Sequence, residues 1–97
     1  ILATPGVDGC WIGPSDLALS MGLRPGDPAA ADQIAAAVEK VLTACRNTGK
    51  IPGYAGSSPE QGRRLAAQGF RFITFSSDVG LILKGAANAL AEVRGEG

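Results

Sequence analysis

The chain of 97 residues carries nine basic and nine acidic side chains and no Lys/Arg patch interleaved with aromatic residues, so we expect no nucleic-acid partner. Its apolar runs fall far short of the ~20 residues that cross a bilayer, and no signal sequence opens it, which predicts a cytoplasmic protein with no membrane partner. Because the sequence lacks histidine and its two cysteines, Cys10 and Cys45, lack CxxC spacing, it excludes a Ser-His-Asp system, a Cys-His system and a cysteine-histidine zinc site built within this chain.

The first predicted unit is a strand at residues 7–12 followed by a short helix. Its near-continuous apolar run is typical of a parallel strand buried on both faces, so Trp11 is interpreted as a core residue. A glycine and a proline then end the strand. Either Ser15 or Asp16 is expected to cap the short helix, which extends to Met21.

The second unit begins with a long helix and ends with a short strand. Asp27 as N-cap with Pro28 at the first helical position predicts the helix start, and apolar side chains recur at helical spacing as far as Gly49, the expected C-terminal cap. The strand at residues 50–55 contains Pro52, which a regular ladder tolerates only at a bulge or at a strand end.

The third unit carries the clearest strand. Ser58 as N-cap, a proline in the first turn and Gln61 as the capping-box residue predict a helix that ends at Gly69. Residues 70–75 concentrate aromatic and branched side chains between a glycine and a polar turn. We therefore expect a strand there, and with it the centre of the sheet core.

A last helix, capped by Ser77 or Asp78, follows this strand, and the tail at residues 95–97 is expected to fray. Helical spacing places six apolar residues on one face of the helix: Val79, Ile82, Leu83, Ala86, Leu90 and Val93.

Strands that alternate with helices predict a parallel three-stranded sheet with helices on one side only. Parallel sheets are normally covered on both faces. The second face is therefore expected to meet the remaining five strands of a barrel on the same chain, or a partner subunit. The chain starts at Ile1 rather than at Met, within a connecting segment, so we expect it to be a piece of a larger protein.

Ligands of α/β proteins bind at the carboxyl ends of the strands, which here lead into loops at residues 13–16, 53–57 and 76–78. The first loop places the Asp16 carboxylate beside backbone N–H groups of a helix start, a combination that can hold a cation and an anion together. On spacing alone an ordinary helix cap is the commoner explanation for Asp16, and capping explains residues 76–78 as well. Tyr54 either projects into a pocket or packs at the rim.

The segment at residues 6–22, GVDGCWIGPSDLALSMG, closely resembles the sixth-strand motif of the HpcH/HpaI-type metal-dependent aldolases, which include 2-keto-3-deoxy-acid and 4-hydroxy-2-oxoheptanedioate aldolases. Residues 49–53 are similar to the seventh strand of that family, and residues 69–73 together with residues 77–78 are similar to its eighth. The resemblance covers essentially the whole chain, in the family's order and spacing.

By this resemblance, residues 1–97 are the C-terminal part of a single TIM-barrel aldolase domain, namely the last three βα units of a (β/α)8 barrel with parallel strands. The implied reaction is divalent-metal-dependent retro-aldol cleavage of a 2-keto-3-deoxy or 4-hydroxy-2-oxo acid into pyruvate or hydroxypyruvate and an aldehyde. The implied small-molecule partners are therefore a 2-keto acid and an aldehyde.

The resemblance also implies roles for individual residues. Asp16 would bind Mg²⁺, Mn²⁺ or Co²⁺, and the backbone at Ser15 and Asp16, in the loop that begins with Gly13 and Pro14, would receive the keto-acid carboxylate. Such a cation polarises the 2-keto oxygen and stabilises the enolate that carbon–carbon cleavage releases. Tyr54 falls where family members usually carry an aliphatic residue that faces the substrate, so we expect it to shape the aldehyde pocket.

The family's second metal-ligating Glu, its catalytic Arg and its His base lie upstream of this segment, so no catalytic residue is expected here. The isolated chain is expected to bind metal weakly and to be inactive. Because the family's last helix typically packs against a neighbouring subunit, a homo-oligomer, either a trimer or a hexamer, is expected. Two alternatives stay open: a catalytically incomplete fragment that acts as an oligomerising structural module, and a related metal-dependent oxo-acid lyase with a different substrate.

Overall fold

The computed structural model describes residues 1–96 as three strands that each lead into a helix. In chain order the elements are β1 (Gly9–Ile12), α1 (Pro14–Ser20), a 3-10 turn (Pro28–Ala30) that continues into α2 (Ala31–Thr48), β2 (Ile51–Ala55), α3 (Pro59–Gln68), β3 (Phe72–Thr74) and α4 (Asp78–Val93). The strands form one parallel sheet in the order β1-β2-β3. The three predicted βα units are confirmed.

Three of the predicted capping residues, Asp27, Gly49 and Ser58, are found at helix ends. Asp27 Oδ1 accepts a hydrogen bond from Ala29 N at 3.0 Å, where the 3-10 turn begins. Gly49 follows α2 with a φ of 68°, in the left-handed region that glycine adopts without a steric penalty. Ser58 Oγ accepts a hydrogen bond from Gln61 N at 3.1 Å and so caps α3.

The start of α1 differs from the prediction, because neither Ser15 nor Asp16 caps this helix. The N-cap is Gly13, which has no side chain that could accept a hydrogen bond, and Pro14 takes the first helical position. Proline suits that position, since its fixed φ is helical and its missing N–H needs no partner. Asp16 therefore lies in the first turn with a carboxylate that capping does not use.

The proline in β2 lies where the ladder does not need its N–H. Ile51 N donates to Asp8 O at 3.0 Å on the β1 side, so the nitrogen of the next residue, Pro52, faces the β3 side. On that side Pro52 O accepts a hydrogen bond from Arg71 N at 2.9 Å, and residue pairing with β3 starts at Gly53, opposite Phe72. The position of Pro52 near the strand's start confirms the sequence-based condition for a proline in this strand.

The hydrophobic core lies between the sheet and helices α2 and α3, and not around β3 as expected. Its buried members are Ile12, Leu42, Tyr54, Leu65 and Phe70. By contrast, Phe72 is 61% exposed and Phe75 is 53% exposed. Of the predicted segment 70–75, Phe70 belongs to the core and Ile73 packs against it, whereas Phe72 and Phe75 are exposed because β3 is the edge strand of the sheet.

The other face of the sheet has no helix over it and is apolar. Trp11 lies opposite Gly53, which in turn lies opposite Phe72, so all three share this face. Trp11 is 53% exposed, and its interpretation as a core residue is wrong for the chain alone. A Cβ on Gly53 would lie 2.6 Å from Trp11 Cδ1, so the indole lies directly against the backbone of β2.

Helix α4 buries none of its side chains. The large apolar residues of its predicted face are each more than half exposed: Val79, Ile82, Leu83, Leu90 and Val93. At its end, Gly95 N donates to Glu92 O and Glu96 N donates to Ala91 O, which extends hydrogen bonding into the tail that was expected to fray. Residue 97 lies outside the described residues. Within residues 1–96, no helix is long and apolar enough to span a membrane.

Candidate functional site

The carboxyl ends of the three strands lie at one edge of the sheet. Ile12 is level with Tyr54, and Tyr54 is level with Ile73. The next residues, at positions 13, 55 and 74, therefore form the row where the strands pass into their loops. Residues at this edge are the candidates for ligand binding, as in other parallel α/β proteins.

Asp16 is the acidic residue that the first loop presents at this edge. Its side chain is exposed, and a Cβ built on Gly13 would lie 3.1 Å from Asp16 Oδ2. The carboxylate thus folds back toward the end of β1. Because Gly13 provides no capping side chain, the N–H groups of Ser15 and Asp16 in the first turn are available to an external acceptor.

The chain supplies few metal ligands at this edge. In the part of the chain that the structure describes, no group of three or more His, Cys, Asp or Glu side chains could hold a metal ion. Mg²⁺ prefers octahedral oxygen ligation and is often bound by one or two carboxylates plus waters and substrate. Asp16 fits such a site as one oxygen ligand, and further protein ligands would have to come from another segment.

The loop after β2 is ordered by hydrogen bonds that the sequence pattern did not predict. Gly56 N donates to Thr74 O at 2.8 Å, and a Cβ on Gly56 would lie only 2.6 Å from that oxygen. Gln61 Oε1 accepts hydrogen bonds from Ser57 N at 2.7 Å and from Ser57 Oγ at 3.1 Å. Gln61 therefore binds the residue before the N-cap Ser58, which shifts the expected capping box by one position.

Tyr54 is a core residue and does not face the open side of the sheet. Its side chain shares a face with Ile12, is only 8% exposed and packs edge-to-face on Phe70, with ring centroids 5.5 Å apart at 68°. Burial raises the pKa of the Tyr54 hydroxyl. The Tyr54 ring therefore packs in the core, and Tyr54 also lines a groove on the helix side of the sheet, so we do not assign it to an aldehyde pocket on the open side.

At this edge, sequence analysis placed Ala55 in a candidate loop without giving it a role, and it missed Thr74. They pair across β2 and β3 in the row of Gly13, and their side chains lie on the open face that carries Trp11. The signal was the two-residue alternation along β2, which separates Ala55 from Tyr54. It could be used only once the register against β1 was known.

The third loop uses its polar side chains to start α4. Ser77 Oγ accepts a hydrogen bond from Gly80 N at 3.0 Å, and Asp78 Oδ1 accepts one from Val79 N at 2.8 Å. Capping by Ser77 is therefore confirmed.

The two cysteines are free thiols, with Cys45 fully buried and Cys10 half-buried. Burial, with a smaller contribution from Cys10, raises the pKa of the Cys45 thiol. A thiol held in its neutral form is a poor nucleophile and a poor metal ligand.

Comparisons with known proteins give one family. A model of the HpcH/HpaI aldolase/citrate lyase family matches residues 1–85. A hydroxypyruvate/pyruvate aldolase from Paraburkholderia phytofirmans is 38% identical over 94 residues, which are 97% of this chain and 35% of that protein. A 4-hydroxy-2-oxo-heptane-1,7-dioate aldolase from Escherichia coli is 36% identical over 93 residues, which are 94% of this chain and 34% of that protein.

A solved structure gives the same result. The crystal structure of a HpcH/HpaI aldolase/citrate lyase family protein from Burkholderia cenocepacia matches with a TM-score of 0.86 and 39% identity, over 97% of this chain and 36% of that one. The chain thus spans about a third of the length of the relatives it matches.

Proposed function

The chain belongs to the HpcH/HpaI aldolase/citrate lyase family, and from this premise we propose that residues 1–97 form the C-terminal part of one TIM-barrel aldolase domain. The complete protein is then a carbon–carbon lyase that cleaves a 2-keto-3-deoxy or 4-hydroxy-2-oxo acid. Its products are pyruvate or hydroxypyruvate and an aldehyde, in line with the names of the relatives.

The open face of the sheet supports the barrel part of this proposal. It presents Trp11, Ile51 and Phe72, which are all exposed in this chain. A parallel sheet is normally covered on both faces, and burying large apolar side chains stabilises a protein by about 25 cal/mol per Å². The relatives are about three times as long as this chain, and further βα units upstream of this segment would bury this face in a closed barrel.

The observation that carries the functional proposal is the carboxylate of Asp16 at the end of β1, unused in capping and next to the first-turn N–H groups. Asp16 would supply one oxygen ligand to Mg²⁺, Mn²⁺ or Co²⁺. The N–H groups of Ser15 and Asp16 would donate to the carboxylate of the keto acid, over the turn made by Gly13 and Pro14. The cation, when bound, supplies the positive charge that polarises the 2-keto oxygen.

The aldehyde half of the substrate would contact the open face of the sheet. Ala55 and Thr74 lie there, level with Gly13, whereas Tyr54 points to the opposite side. We therefore assign aldehyde selectivity to Ala55 and Thr74. The small side chain of Ala55 leaves room near the strand ends, and the Thr74 hydroxyl can donate to an aldehyde or hydroxyl oxygen.

No residue in this segment is assigned to acid-base catalysis, and the chain alone is expected to turn over no substrate. Asp16 is one carboxylate, and the side chains that complete the metal site and move the proton would lie on the upstream units. The proposal therefore concerns the assembled barrel, to which this segment contributes a metal ligand and a carboxylate-binding turn.

A chimera tests the proposal. The matching third of the Burkholderia cenocepacia protein is replaced by this chain, and release of pyruvate from a 4-hydroxy-2-oxo acid is followed with a divalent cation present. Retro-aldol activity is expected, and Asp16→Asn should reduce it by about a hundredfold or more, as for other groups that stabilise developing charge. Asp8→Asn, at the other end of β1, is the matched control and should leave the rate unchanged.

Two outcomes would contradict the proposal. A folded chimera that cleaves no hydroxy-oxo acid would contradict the aldolase assignment. The alternative would then be a related oxo-acid lyase, since the family includes citrate lyases as well as aldolases. An Asp16→Asn chimera with full activity would show that the Asp16 carboxylate is not a metal ligand.

The exposed apolar face of α4 favours a second candidate function, that of an oligomerising structural module. In the enzyme hypothesis the same face packs against a neighbouring subunit in a homo-oligomer, a trimer or a hexamer. Binding of Mn²⁺ together with oxalate, a mimic of the pyruvate enolate, separates the two. The enzyme hypothesis requires both to bind near Asp16 in the chimera, and the structural module requires neither. A cytoplasmic location stays a prediction.

A further inference from the structure

A groove of about 470 Å³ lies between α2 and α3, on the helix side of the sheet. Its volume falls in the range of small-molecule pockets, about 300–1,000 Å³. Ile34 and Val38 of α2 and Leu65 of α3 give it an apolar wall, and Tyr54 lies at its base. The groove lies on the helix face of the sheet, because Tyr54 lines it and Tyr54 and Trp11 point to opposite faces.

Within residues 1–96 the hydroxyl of Tyr54 has no hydrogen-bond partner, although the side chain is more than nine-tenths buried. None of the side-chain hydrogen bonds formed within residues 1–96 involves it. In the same residues, no side-chain oxygen or nitrogen that is fully buried lacks a hydrogen-bond partner. The hydroxyl must therefore reach open space, and the groove is the cavity that Tyr54 lines.

Two more hydrogen-bond donors line the same groove from α3. Gln61 is held by its Oε1, which accepts two hydrogen bonds from Ser57, so its Nε2 is left to donate. Arg64 follows one turn later and also lines the groove. Together with Tyr54, these residues offer donors on the α3 side.

The acidic residues of the groove are placed differently. Asp27 and Glu39 also line it, from the segment that begins and forms α2. The Asp27 carboxylate already accepts a hydrogen bond from Ala29 N at the start of the 3-10 turn. The hydrogen-bond donors thus lie on the α3 side of the groove and the acidic side chains on the α2 side. A ligand carboxylate would be attracted to the donors and repelled by the acids, so it has one favourable side.

We propose that this groove binds a small amphipathic carboxylate. Its apolar body packs between Val38 and Leu65, and its carboxylate accepts hydrogen bonds from Tyr54 Oη and Arg64. Because burial raises the pKa of Tyr54, the hydroxyl keeps its proton and can donate at neutral pH and above. The groove uses side chains on the helix side of the sheet, and Asp16 is not among the residues that line it, so this proposal does not depend on the aldolase proposal.

The test uses the chimera described above, which carries this chain within a complete family protein, and phenylacetate as the probe, with binding followed by amide chemical shifts. Saturable shifts are expected at residues of α2 and α3 around the groove. Phenylacetamide, which has the same ring and no charge, should bind at least about tenfold more weakly, since hydrogen bonds to charged groups are the stronger ones. Saturation that is absent at about 10 mM phenylacetate, or equal affinity for the two probes, would overturn the proposal.

Matched variants locate the site. Tyr54→Phe removes only the hydroxyl and should weaken phenylacetate binding about fivefold, the usual effect of one hydrogen bond. Arg64→Gln should weaken it about tenfold. Arg63→Gln removes the same charge from the neighbouring residue, which lines a different cavity beside Phe75, and should change binding by less than about twofold.

Three results in this series would contradict the site. An unchanged affinity in Tyr54→Phe, with an unchanged circular dichroism spectrum, would show that the hydroxyl takes no part. Equal losses in the Arg64 and Arg63 variants would show a general charge effect. Shifts confined to residues 13–16 would place the probe at the strand ends, in the carboxylate-binding turn proposed for the keto acid.

Discussion

The carboxylate of Asp16 lies against the backbone of Gly13, where a Cβ would come within 3.1 Å of Asp16 Oδ2. The absence of a side chain at Gly13 therefore does two things at once. It leaves α1 without a side-chain cap, so that first-turn N–H groups stay available, and it lets an acidic side chain fold back toward the strand end. One short turn therefore presents both first-turn N–H groups and an exposed carboxylate.

Asp16→Asn should weaken the binding of Mn²⁺ by this chain about tenfold, although binding to the unmodified chain is itself expected to be weak. The amide replaces a charged oxygen ligand with a neutral one. Paramagnetic broadening of the amide signals of residues 13–17 measures the effect. Asp8→Asn is the matched control at the opposite end of β1, and equal broadening in both variants would contradict the assignment.

The free energy of unfolding should change by less than about 1 kcal/mol in Asp16→Asn, since Asp16 caps nothing.

Gly56→Ala should destabilise the fold by about 1–3 kcal/mol, because the new methyl group would press on Thr74 O, 2.6 Å away. The same clash threatens the Gly56–Thr74 hydrogen bond that joins the β2 loop to β3. The midpoint of urea unfolding measures the change. Gly85→Ala is the control: it lies within α4 with nothing nearby, so alanine should stabilise by up to about 1 kcal/mol. A Gly56→Ala protein as stable as the unmodified chain would show that the loop can move aside.

Stability should fall as the pH rises above about 10, and Tyr54→Phe should reduce this fall. An unburied tyrosine has a pKa of 10.0, and burial raises that of Tyr54 in the folded state. Below pH 10 both states hold the proton and the contribution to stability is complete. Above it the unfolded chain ionises first, so folding loses stability until the folded pKa is reached.

The thiol of Cys45 adds a similar loss above its usual pKa of 9.0, in the variant as well as in the unmodified chain. Urea unfolding measured at a series of alkaline pH values separates the two contributions. Identical pH profiles for the unmodified chain and Tyr54→Phe would contradict the contribution of Tyr54.

Local features of the fold could be predicted from the sequence, since they depend on neighbouring residues. Ser58 and Gly49 are examples: a hydroxyl three residues before an amide and a glycine at a left-handed position need no distant partner. The side on which Tyr54 lies is different, because it depends on how β2 pairs with β1. The exposure of Phe72 and Trp11 depends on which face of the sheet the helices cover, and that follows from strand pairing.

The candidate site divides in the same way. The position of Asp16 at a strand end was predictable from the motif. From sequence alone, either residue 15 or residue 16 could have capped α1. The structure shows that Asp16 does not, because Gly13 takes the N-cap position. That the side chains of Ala55 and Thr74 face the open side of the sheet could not be predicted without knowing the register of the strands. Sequence patterns therefore located the edge of the sheet, and only the pairing of strands assigned its faces.

Thr74→Val in the chimera should change the preference among aldehydes by about tenfold, whereas Tyr54→Phe should leave it unchanged. Thr74 lies on the open face in the row of Gly13, and valine keeps its shape while removing the hydroxyl that can donate to an aldehyde oxygen. Competing aldehydes are compared in the aldol direction, with pyruvate in excess and the product ratio measured. If Tyr54→Phe changed the product ratio and Thr74→Val did not, the aldehyde pocket would have to lie on the helix side of the sheet.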